Sequence, residues 1–333
     1  DALEVAAILI DLKPGDEVLM PSFTFTSTAN AVVMRGAKPV FVDIDKSNLN
    51  IDLNDLEKKI TKKSKAIFVV HYGGFCTNMD KLVSLKKKYN LYLIEDAAHC
   101  FLAKYNHKFL GTFGDIATFS FHATKNFVGG QCGALIINQN KFIKKAEIIL
   151  DKGTDRKRII NYKSKDNVAS FNKNKYYSWK YIGSEYRASE ISSALVYSQI
   201  QRRKAIQNGR KKIWNYYYKN LSNLKNTSFR IFNDKNPKII QSYHQFALIT
   251  KNDEIASRLR THLINNNIYS AFHYIPLHNS PFSKKITKSK KLDVTEKIFK
   301  KLVRIPLHTK LKQKQVIYIV NKIKIFFKKE NAR

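Results

Sequence analysis

Short apolar runs alternate with stretches of helical periodicity along the first half of the chain. Residues 17–20 (Glu-Val-Leu-Met), 39–42 (Pro-Val-Phe-Val) and 65–70 (Lys-Ala-Ile-Phe-Val-Val) predict strands, with a helix over 29–35 between the first two. Residues 78–90 place Leu82, Leu85 and Tyr89 at helical spacing, and Asn90 suits the helix stop before the apolar run Leu91-Tyr92-Leu93-Ile94. Residues 115–121 predict a further strand. Strands alternating with helices in this way imply a mainly parallel sheet covered by helices. Residues 163–177 turn polar and rich in Lys and Asn, which predicts a long exposed loop. A helix follows, with Ile191, Leu195 and Ile200 among its apolar positions, continuing towards Tyr216-Tyr217-Tyr218 to link two domains. From about residue 221 the strand-like Phe246-Ala247-Leu248-Ile249 is mixed with helices, and Val316, Val320, Ile323 and Phe327 form one stripe of a final helix whose other face is Lys-rich.

With 333 residues the chain exceeds the ceiling of about 250–300 residues for one hydrophobic core. The expected fold class is therefore α/β, with a large domain over 1–220 and a smaller α+β domain over 221–333. No run of 18 or more apolar residues occurs, and no basic, apolar and small-residue leader opens the chain, so it reads as cytoplasmic without membrane insertion. Three cysteines, Cys76, Cys100 and Cys132, lack metal-ligand spacing and leave an odd number, which predicts free thiols and no metal site. The formal charge of +34 would ordinarily point to nucleic acid. Here Lys is spread over the whole chain beside many Ile, Asn, Tyr and Phe, a pattern of compositional drift rather than a focused patch. A positive field of this kind would still speed the encounter with an anionic substrate.

Two residues carry candidate chemistry. Asp96 falls at the carboxyl end of a predicted buried strand, where open α/β sheets place their ligands. Lys125 follows just past the end of the strand at 115–121. Taken singly, a Lys is a solvated charge and an Asp at a strand end is a cap or turn former. Together they meet the two requirements of pyridoxal phosphate: an amine to hold its aldehyde covalently, and a carboxylate to keep its pyridine nitrogen protonated so that the ring absorbs a carbanion's electrons.

Motifs from end to end extend this reading. Pro21-Ser22-Phe23-Thr24-Phe25-Thr26-Ser27-Thr28-Ala29-Asn30, Phe41-Val42-Asp43-Ile44-Asp45, Glu95-Asp96-Ala97-Ala98-His99, Leu110-Gly111-Thr112-Phe113-Gly114-Asp115 and Ser120-Phe121-His122-Ala123-Thr124-Lys125-Asn126 occur in an order that resembles the DegT/DnrJ/EryC1/StrS sugar-nucleotide aminotransferases. The resemblance implies the fold-type I architecture of pyridoxal-phosphate transferases and a homodimer with shared active sites. It also implies amino transfer from L-glutamate to the keto carbon of a nucleotide-linked 4-keto-6-deoxy sugar. Within the group, His71-Tyr72-Gly73-Gly74, Asp151-Lys152-Gly153-Thr154-Asp155-Arg156, Ile182-Gly183-Ser184-Glu185-Tyr186 and Phe272-His273-Tyr274-Ile275-Pro276-Leu277-His278 resemble the transaminases that form dTDP-4-amino-4,6-dideoxygalactose for surface polysaccharide.

By the same resemblance, Lys125 holds the cofactor and moves the proton, and Asp96 pairs with the pyridine nitrogen. His99 stands near the phenolic oxygen, where relatives often have Gln. Phe25 stacks on the ring, Ser120 binds the phosphate, and His122 contacts phosphate or fills space. His273, Tyr274 and His278 resemble residues near the sugar-nucleotide pocket, and Arg187 lies in a region that reaches the partner subunit's site. Relatives with His in place of this Lys are dehydratases, so Lys125 favours amino transfer.

Two departures stand against the pattern. The chain opens at Asp1 without Met, inside a helix that ends near Asp11, and the phosphate-binding loop that precedes this helix in relatives is expected to belong to several dozen residues upstream. Gly130-Gln131-Cys132-Gly133 stands where relatives have Gly-Glu-Gly-Gly, so a carboxylate is gone and the side chain of Cys132 predicts local strain or a shifted turn. These departures leave open an inactive, truncated paralogue, beside a transaminase for another nucleotide keto sugar.

Overall fold

The computed structural model describes residues 1–156, the backbone of 160–161 and 170–171, and residues 176–222, 224 and 228–330. The loop expected at 163–177 lies outside the described residues, apart from the backbone of 170–171 and residues 176–177. In chain order the first elements are α1 (Ala2–Leu9), β1 (Glu17–Pro21), α2 (Thr26–Val33), β2 (Lys38–Val42), α3 (Leu53–Lys58), β3 (Ser64–Val70), α4 (Met79–Lys88) and β4 (Tyr92–Asp96). Then come β5 (Lys104–Tyr105), β6 (Lys108–Phe109), β7 (Ile116–Ser120), β8 (Gly133–Ile137), α5 (Ile143–Leu150), β9 (Ile160–Asn161) and β10 (Ser170–Phe171). The remainder comprises α6 (Glu190–Gln201), α7 (Arg203–Leu221), β11 (Phe229–Ile231), β12 (Ile239–Ile240), β13 (Phe246–Thr250), α8 (Asp253–Ile264), α9 (Pro281–Ile286), α10 (Asp293–Lys301), β14 (Leu302–Ile305) and α11 (Gln313–Glu330).

Six strands form the central sheet in the order β2-β1-β3-β4-β7-β8, with all pairs parallel except β7 and β8. Successive strand residues face opposite layers. Val18 and Met20 pack with Val5, Leu9, Ala31 and Ile149 of α1, α2 and α5, whereas Leu19 packs with Leu56, Leu82 and Leu85 of α3 and α4. Burial on both faces explains why these strands read as continuous apolar runs rather than alternating ones. The register sets Val70 beside Asp96 and Asp96 beside Thr118, so the carboxyl ends of β3, β4 and β7 share one edge.

Local chemistry sets the element ends. The Asn78 side chain accepts from the Lys81 N–H to cap α4, and Asn90 takes a left-handed φ of 51° beyond its end, as expected of that residue type. Asp11 (φ 54°) and Gly15 (φ 94°) turn the chain between α1 and β1. The helix expected at 29–35 starts earlier, at Thr26, because Phe25 holds extended backbone as its N-cap and the Thr26-Ser27-Thr28 segment continues from it.

A second core, made by Trp214, Tyr217, Leu259, Leu263, Val303, Ile319, Ile323 and Phe327, lies between the antiparallel sheet β11-β13-β14 and helices α7, α8 and α11. Val316, Val320, Ile323 and Phe327 are all buried there, as the stripe predicts. A further cluster packs Phe23, Tyr72 and Phe75 from the first half of the chain with Phe232, Ala247, Ile249 and Leu302 from the second, which joins the two. The single helix expected from Ile191 to Tyr218 is two helices that meet at Arg202. α7 buries Ile213, Trp214, Tyr217 and Leu221, while α6 buries none of its residues within this chain, and Ile191 is 83% exposed. No helix among the described residues is long and apolar enough to cross a membrane. The three cysteines are free.

Candidate active site

Asp96, at the end of β4, opens onto a cavity of about 900 Å³ that Lys125 also lines. β4 ends in two acidic residues on opposite faces, with different tasks. Glu95 is buried beneath the site, where its carboxylate accepts from the N–H groups of Gly111 (2.8 Å), Phe113 (2.7 Å) and Gly114 (2.6 Å) and pairs with His71 Nε2 at 2.8 Å. Desolvation pushes the Glu95 pKa up, but the hydrogen bonds from His71 and the glycine amides outweigh it and hold the group below its ordinary value. Asp96 faces the cavity. Its Oδ2 accepts from Thr28 Oγ1 at 2.7 Å, and Thr24 Oγ1 stands 2.9 Å from Thr28 Oγ1. Since the Thr28 proton is committed to Asp96, Thr24 donates to Thr28. Asp96 Oδ1 accepts from the Ala98 N–H at 3.2 Å.

Lys125 closes a turn in which its N–H donates to the His122 carbonyl at 2.9 Å. Burial lowers the Lys125 pKa; the nearby Asp96 carboxylate opposes this, and the Arg304 guanidinium adds to it. The result is an amine less basic than usual, the state a nucleophilic lysine needs.

His99 lies between these groups and the second core. Its Nδ1 accepts from the Gly73 N–H at 3.3 Å, which leaves Nε2 to donate to Tyr274 Oη at 3.4 Å. The His99 ring stacks on His244, with centroids 3.9 Å apart and an interplanar angle of 13°. Asn126 Nδ2 donates to the Ser242 carbonyl at 2.8 Å, so its oxygen faces His244 Nδ1 at 3.0 Å and accepts from it. The buried Arg210 donates to the carbonyls of Tyr243 (2.9 Å) and His244 (2.6 Å) and so holds this segment against α7. Burial, with Lys125 and Arg304 adding positive charge nearby, drives both ring pKa values well below 6.5. These rings are neutral hydrogen-bonding and stacking surfaces at neutral pH.

Of the residues singled out in the sequence, Lys125, Asp96, His99, Phe25, Ser120, His122, His273 and Tyr274 all line this one cavity. Phe25 is 60% exposed and presents its ring to the cavity, 6.2 Å from Tyr274. Ser120 Oγ accepts from the His122 N–H at 3.4 Å, and His122 Nδ1 lies 3.0 Å from Thr124 Oγ1. His278 is buried away from the cavity lining, between Ser22 Oγ (2.7 Å from Nδ1) and Glu296 Oε1 (3.0 Å from Nε2). Arg187 pairs with Asp151 and Glu185 outside the lining. Thr28, Asn126, His244 and Arg304 carry no assigned role in the sequence reading. Thr28 and Asn126 sit inside the motifs that carried the resemblance, whereas nothing near His244 or Arg304 in the chain marks them.

Gln131 and Cys132 both line the cavity. Of the two outcomes expected at Cys132, local strain or a shifted turn, the backbone shows no strain: its φ is not positive, and Gly130, with φ 78°, makes the turn. The Cys132 carbonyl accepts from the Phe121 N–H at 2.9 Å in an ordinary strand pairing, and its side chain packs beside Phe121 and Phe127.

The site fits pyridoxal phosphate. Asp96 keeps acceptor capacity towards the cavity beyond its bonds to Thr28 and Ala98, and it suits the pyridine nitrogen. The desolvated Lys125 amine makes no hydrogen bond among the described residues and suits the aldehyde. The exposed Phe25 ring offers a flat face, and Ser120 and His122 offer polar groups for the phosphate.

Comparisons with known proteins show the family. The model of the DegT/DnrJ/EryC1/StrS aminotransferase family matches residues 1–324. The chain is 30% identical over 326 residues to the GDP-perosamine synthase of Escherichia coli O157:H7, covering 98% of this chain and 83% of that protein. It is 29% identical over 315 residues to the dTDP-4-dehydro-2,3,6-trideoxy-D-glucose 4-aminotransferase of Saccharopolyspora spinosa, covering 95% of this chain and 79% of that protein. The aminotransferase TlmJ from Streptoalloteichus hindustanus matches in fold with a TM-score of 0.87, at 23% identity, over 97% of this chain and 82% of that one. These relatives are named for different nucleotides and sugars, so they do not single out the transaminase of dTDP-4-amino-4,6-dideoxygalactose. The chain belongs to the DegT/DnrJ/EryC1/StrS aminotransferase family, sugar aminotransferases that work with pyridoxal phosphate on the fold-type I architecture.

Proposed function

We propose that the protein moves an amino group from L-glutamate to the keto carbon of a nucleotide-linked 4-keto-6-deoxy sugar, in two half-reactions at one site. The observation that carries this reading is the meeting of a desolvated Lys125 amine and the Asp96 carboxylate in one cavity at the carboxyl edge of the parallel sheet. Pyridoxal phosphate supplies the aldehyde that takes up the amino group and the ring that absorbs the electrons released at the reacting carbon. Lys125 would hold the cofactor, and its Nζ would carry the proton from the donor's α-carbon. Asp96, oriented by Thr28, would keep the ring nitrogen protonated. His99, whose Nε2–H faces Tyr274 Oη, would stand near the cofactor's phenolic oxygen. Phe25 would stack on the ring, Ser120 and His122 would take the phosphate, and His273 and Tyr274 would face the substrate.

The finer assignment is conversion of dTDP-4-dehydro-6-deoxy-D-glucose to dTDP-4-amino-4,6-dideoxy-D-galactose for surface polysaccharide, which the motifs around His71, Asp151, Ile182 and His273 support. A GDP-linked keto sugar is the second reading, favoured by the likeness to a GDP-perosamine synthase. A homodimer belongs to the same proposal. The unburied apolar residues of α6 support a face for a second copy, and the position of Arg187 outside the cavity of its own chain is consistent with a role at a partner's site.

Visible absorbance of the protein with added pyridoxal phosphate, before and after L-glutamate, tests the first half-reaction. A band that bleaches with glutamate and is absent in Lys125→Ala is expected. Keto sugars linked to dTDP, GDP and UDP, added to the bleached protein, then identify the acceptor by which of them restores the band. No band in the wild type would overturn the reading and leave the inactive paralogue.

A further inference from the structure

Arg304 is a buried cation that no carboxylate pairs among the described residues. It sits on β14, where its N–H donates to the Ala271 carbonyl at 2.8 Å and its residue pairs with Ala247 of β13, so its backbone is fixed on both sides. Val303 and Ile305 turn into the second core, and Arg304 turns the other way, into the cavity that holds Lys125 and Asp96. Nη1 stands 2.7 Å from His273 Nδ1 and also contacts the other ring nitrogen, while Nε is buried without any hydrogen bond. Among the described residues no carboxylate pairs with this guanidinium; Tyr72, Tyr269 and Tyr274 surround it. A desolvated guanidinium flanked by neutral rings is costly unless an anion completes it.

We propose that Arg304 is the seat of the amino donor's α-carboxylate, held by charge-assisted hydrogen bonds from the guanidinium beside His273. The inference rests on the transamination reading above and deepens it. The donor's nitrogen must reach the position that the Lys125 amine serves, and its α-carboxylate lies only two bonds from that nitrogen. An anion fixed that close to the reacting carbon must therefore find its cation in the same cavity as Lys125, which Arg304 meets. The diphosphate of a nucleotide sugar is separated from the keto carbon by the breadth of a sugar ring and belongs further out. A planar fork of donors matches a carboxylate. His273, whose pKa burial and Arg304 push down to about 3, remains neutral and does not compete for the anion as a second charge would.

The test compares wild type with Arg304→Gln and Arg304→Lys on three donors: L-glutamate, its side-chain amide L-glutamine, and its α-amide. The readouts are bleaching of the cofactor band and KM in the coupled reaction. Arg304→Gln is expected to raise the half-saturation for glutamate and glutamine by about 10- to 100-fold. The same change should leave the α-amide donor, the cofactor band and the KM of the keto sugar within about twofold, with Arg304→Lys recovering part of the loss. Calorimetric titration with 2-oxoglutarate, which retains the α-carboxylate, gives a readout that needs no turnover: wild type binds and Arg304→Gln binds at least about tenfold more weakly. A loss confined to the sugar's KM, or an equal loss for the α-amide, would overturn the assignment. If glutamate leaves the wild-type band unchanged but 2-oxoglutarate binds through Arg304, the transamination reading falls and the carboxylate seat stands.

Discussion

The chemistry of this site is set by single atoms. Thr28 gives its one proton to Asp96, and Thr24 backs it, so the carboxylate is held in one orientation before any ligand arrives. Replacing Thr28 by Val keeps the shape and removes the donor. We expect kcat to fall about 10- to 100-fold with both KM values little changed, since a hydrogen bond to a charged group is worth about 1.5–3 kcal/mol. Steady-state kinetics decide it, and an unchanged kcat would mean that Asp96 orients itself. Asp96→Asn keeps the acceptor for Thr28 but cannot balance a protonated ring nitrogen. Its turnover should drop by about 10²-fold or more while cofactor still binds covalently at Lys125, measured by borohydride reduction and peptide mapping.

At the scale of elements, two segments carry more than their own stability. The turn His71-Tyr72-Gly73-Gly74 passes under the site, and Gly73 (φ 67°) both donates to His99 and touches its surroundings closely. A Cβ there would lie 2.6 Å from Phe232 Cε1 and 2.7 Å from Gln245 Nε2. Gly73→Ala therefore combines left-handed strain with overpacking and should cost at least about 2 kcal/mol, read as a lower urea midpoint. A loss within error would show that the turn has room to shift. Helix α6 is the other segment. Its exposed Ile191, Leu195 and Tyr197 contribute nothing to the core of this chain. Ile191→Asp combined with Leu195→Asp should leave helical content intact and convert the proposed dimer to a monomer in analytical ultracentrifugation; a wild-type monomer or an unchanged mass would overturn α6 as its face.

Over the whole molecule, buried histidines tie stability to pH. The folded pKa values of His99 and His244 lie well below 6.5, and that of His273 is pushed down to about 3, chiefly by burial. As pH falls below 6.5, the unfolded chain binds protons at these rings that the folded chain refuses. Stability is thus full above pH 6.5 and is lost towards pH 5, each ring adding a slope of about 1.4 kcal/mol per pH unit. Glu95 acts in a lower window, because its depressed folded pKa gives stability above 4.5 that is lost in stronger acid. Urea midpoints at several pH values between 7.5 and 5 should fall accordingly, and a flat profile would refute the burial argument. The charge of +34 acts at the same scale: raising ionic strength should lower kcat/KM for the nucleotide sugar severalfold and leave kcat unchanged.

Much of this was legible from short stretches of chain. Asp96 ends the apolar run of β4 and Lys125 comes a few residues after β7, so their place at the sheet edge is a local consequence of pattern. Asn90 stops α4 because its side chain tolerates left-handed backbone, and α11 shows its buried stripe at helical spacing. The break at Arg202 and the outward face of α6 were not legible, since apolar periodicity marks a face that must be covered without saying by which molecule. At Cys132 the choice between strain and a shifted turn was not legible, because it depends on Gly130 taking the left-handed backbone. The sequence by itself determined the parallel strands of the central sheet, the helix stop at Asn90 and the positions of Asp96 and Lys125 at the sheet edge, because each depends on neighbours within a few positions. Only the tertiary structure decided that His244 stacks on His99, that His278 is held between Ser22 and Glu296, and that Arg304 faces Lys125, because β14 and the 241–245 segment reach the sheet edge through packing between residues far apart in the chain.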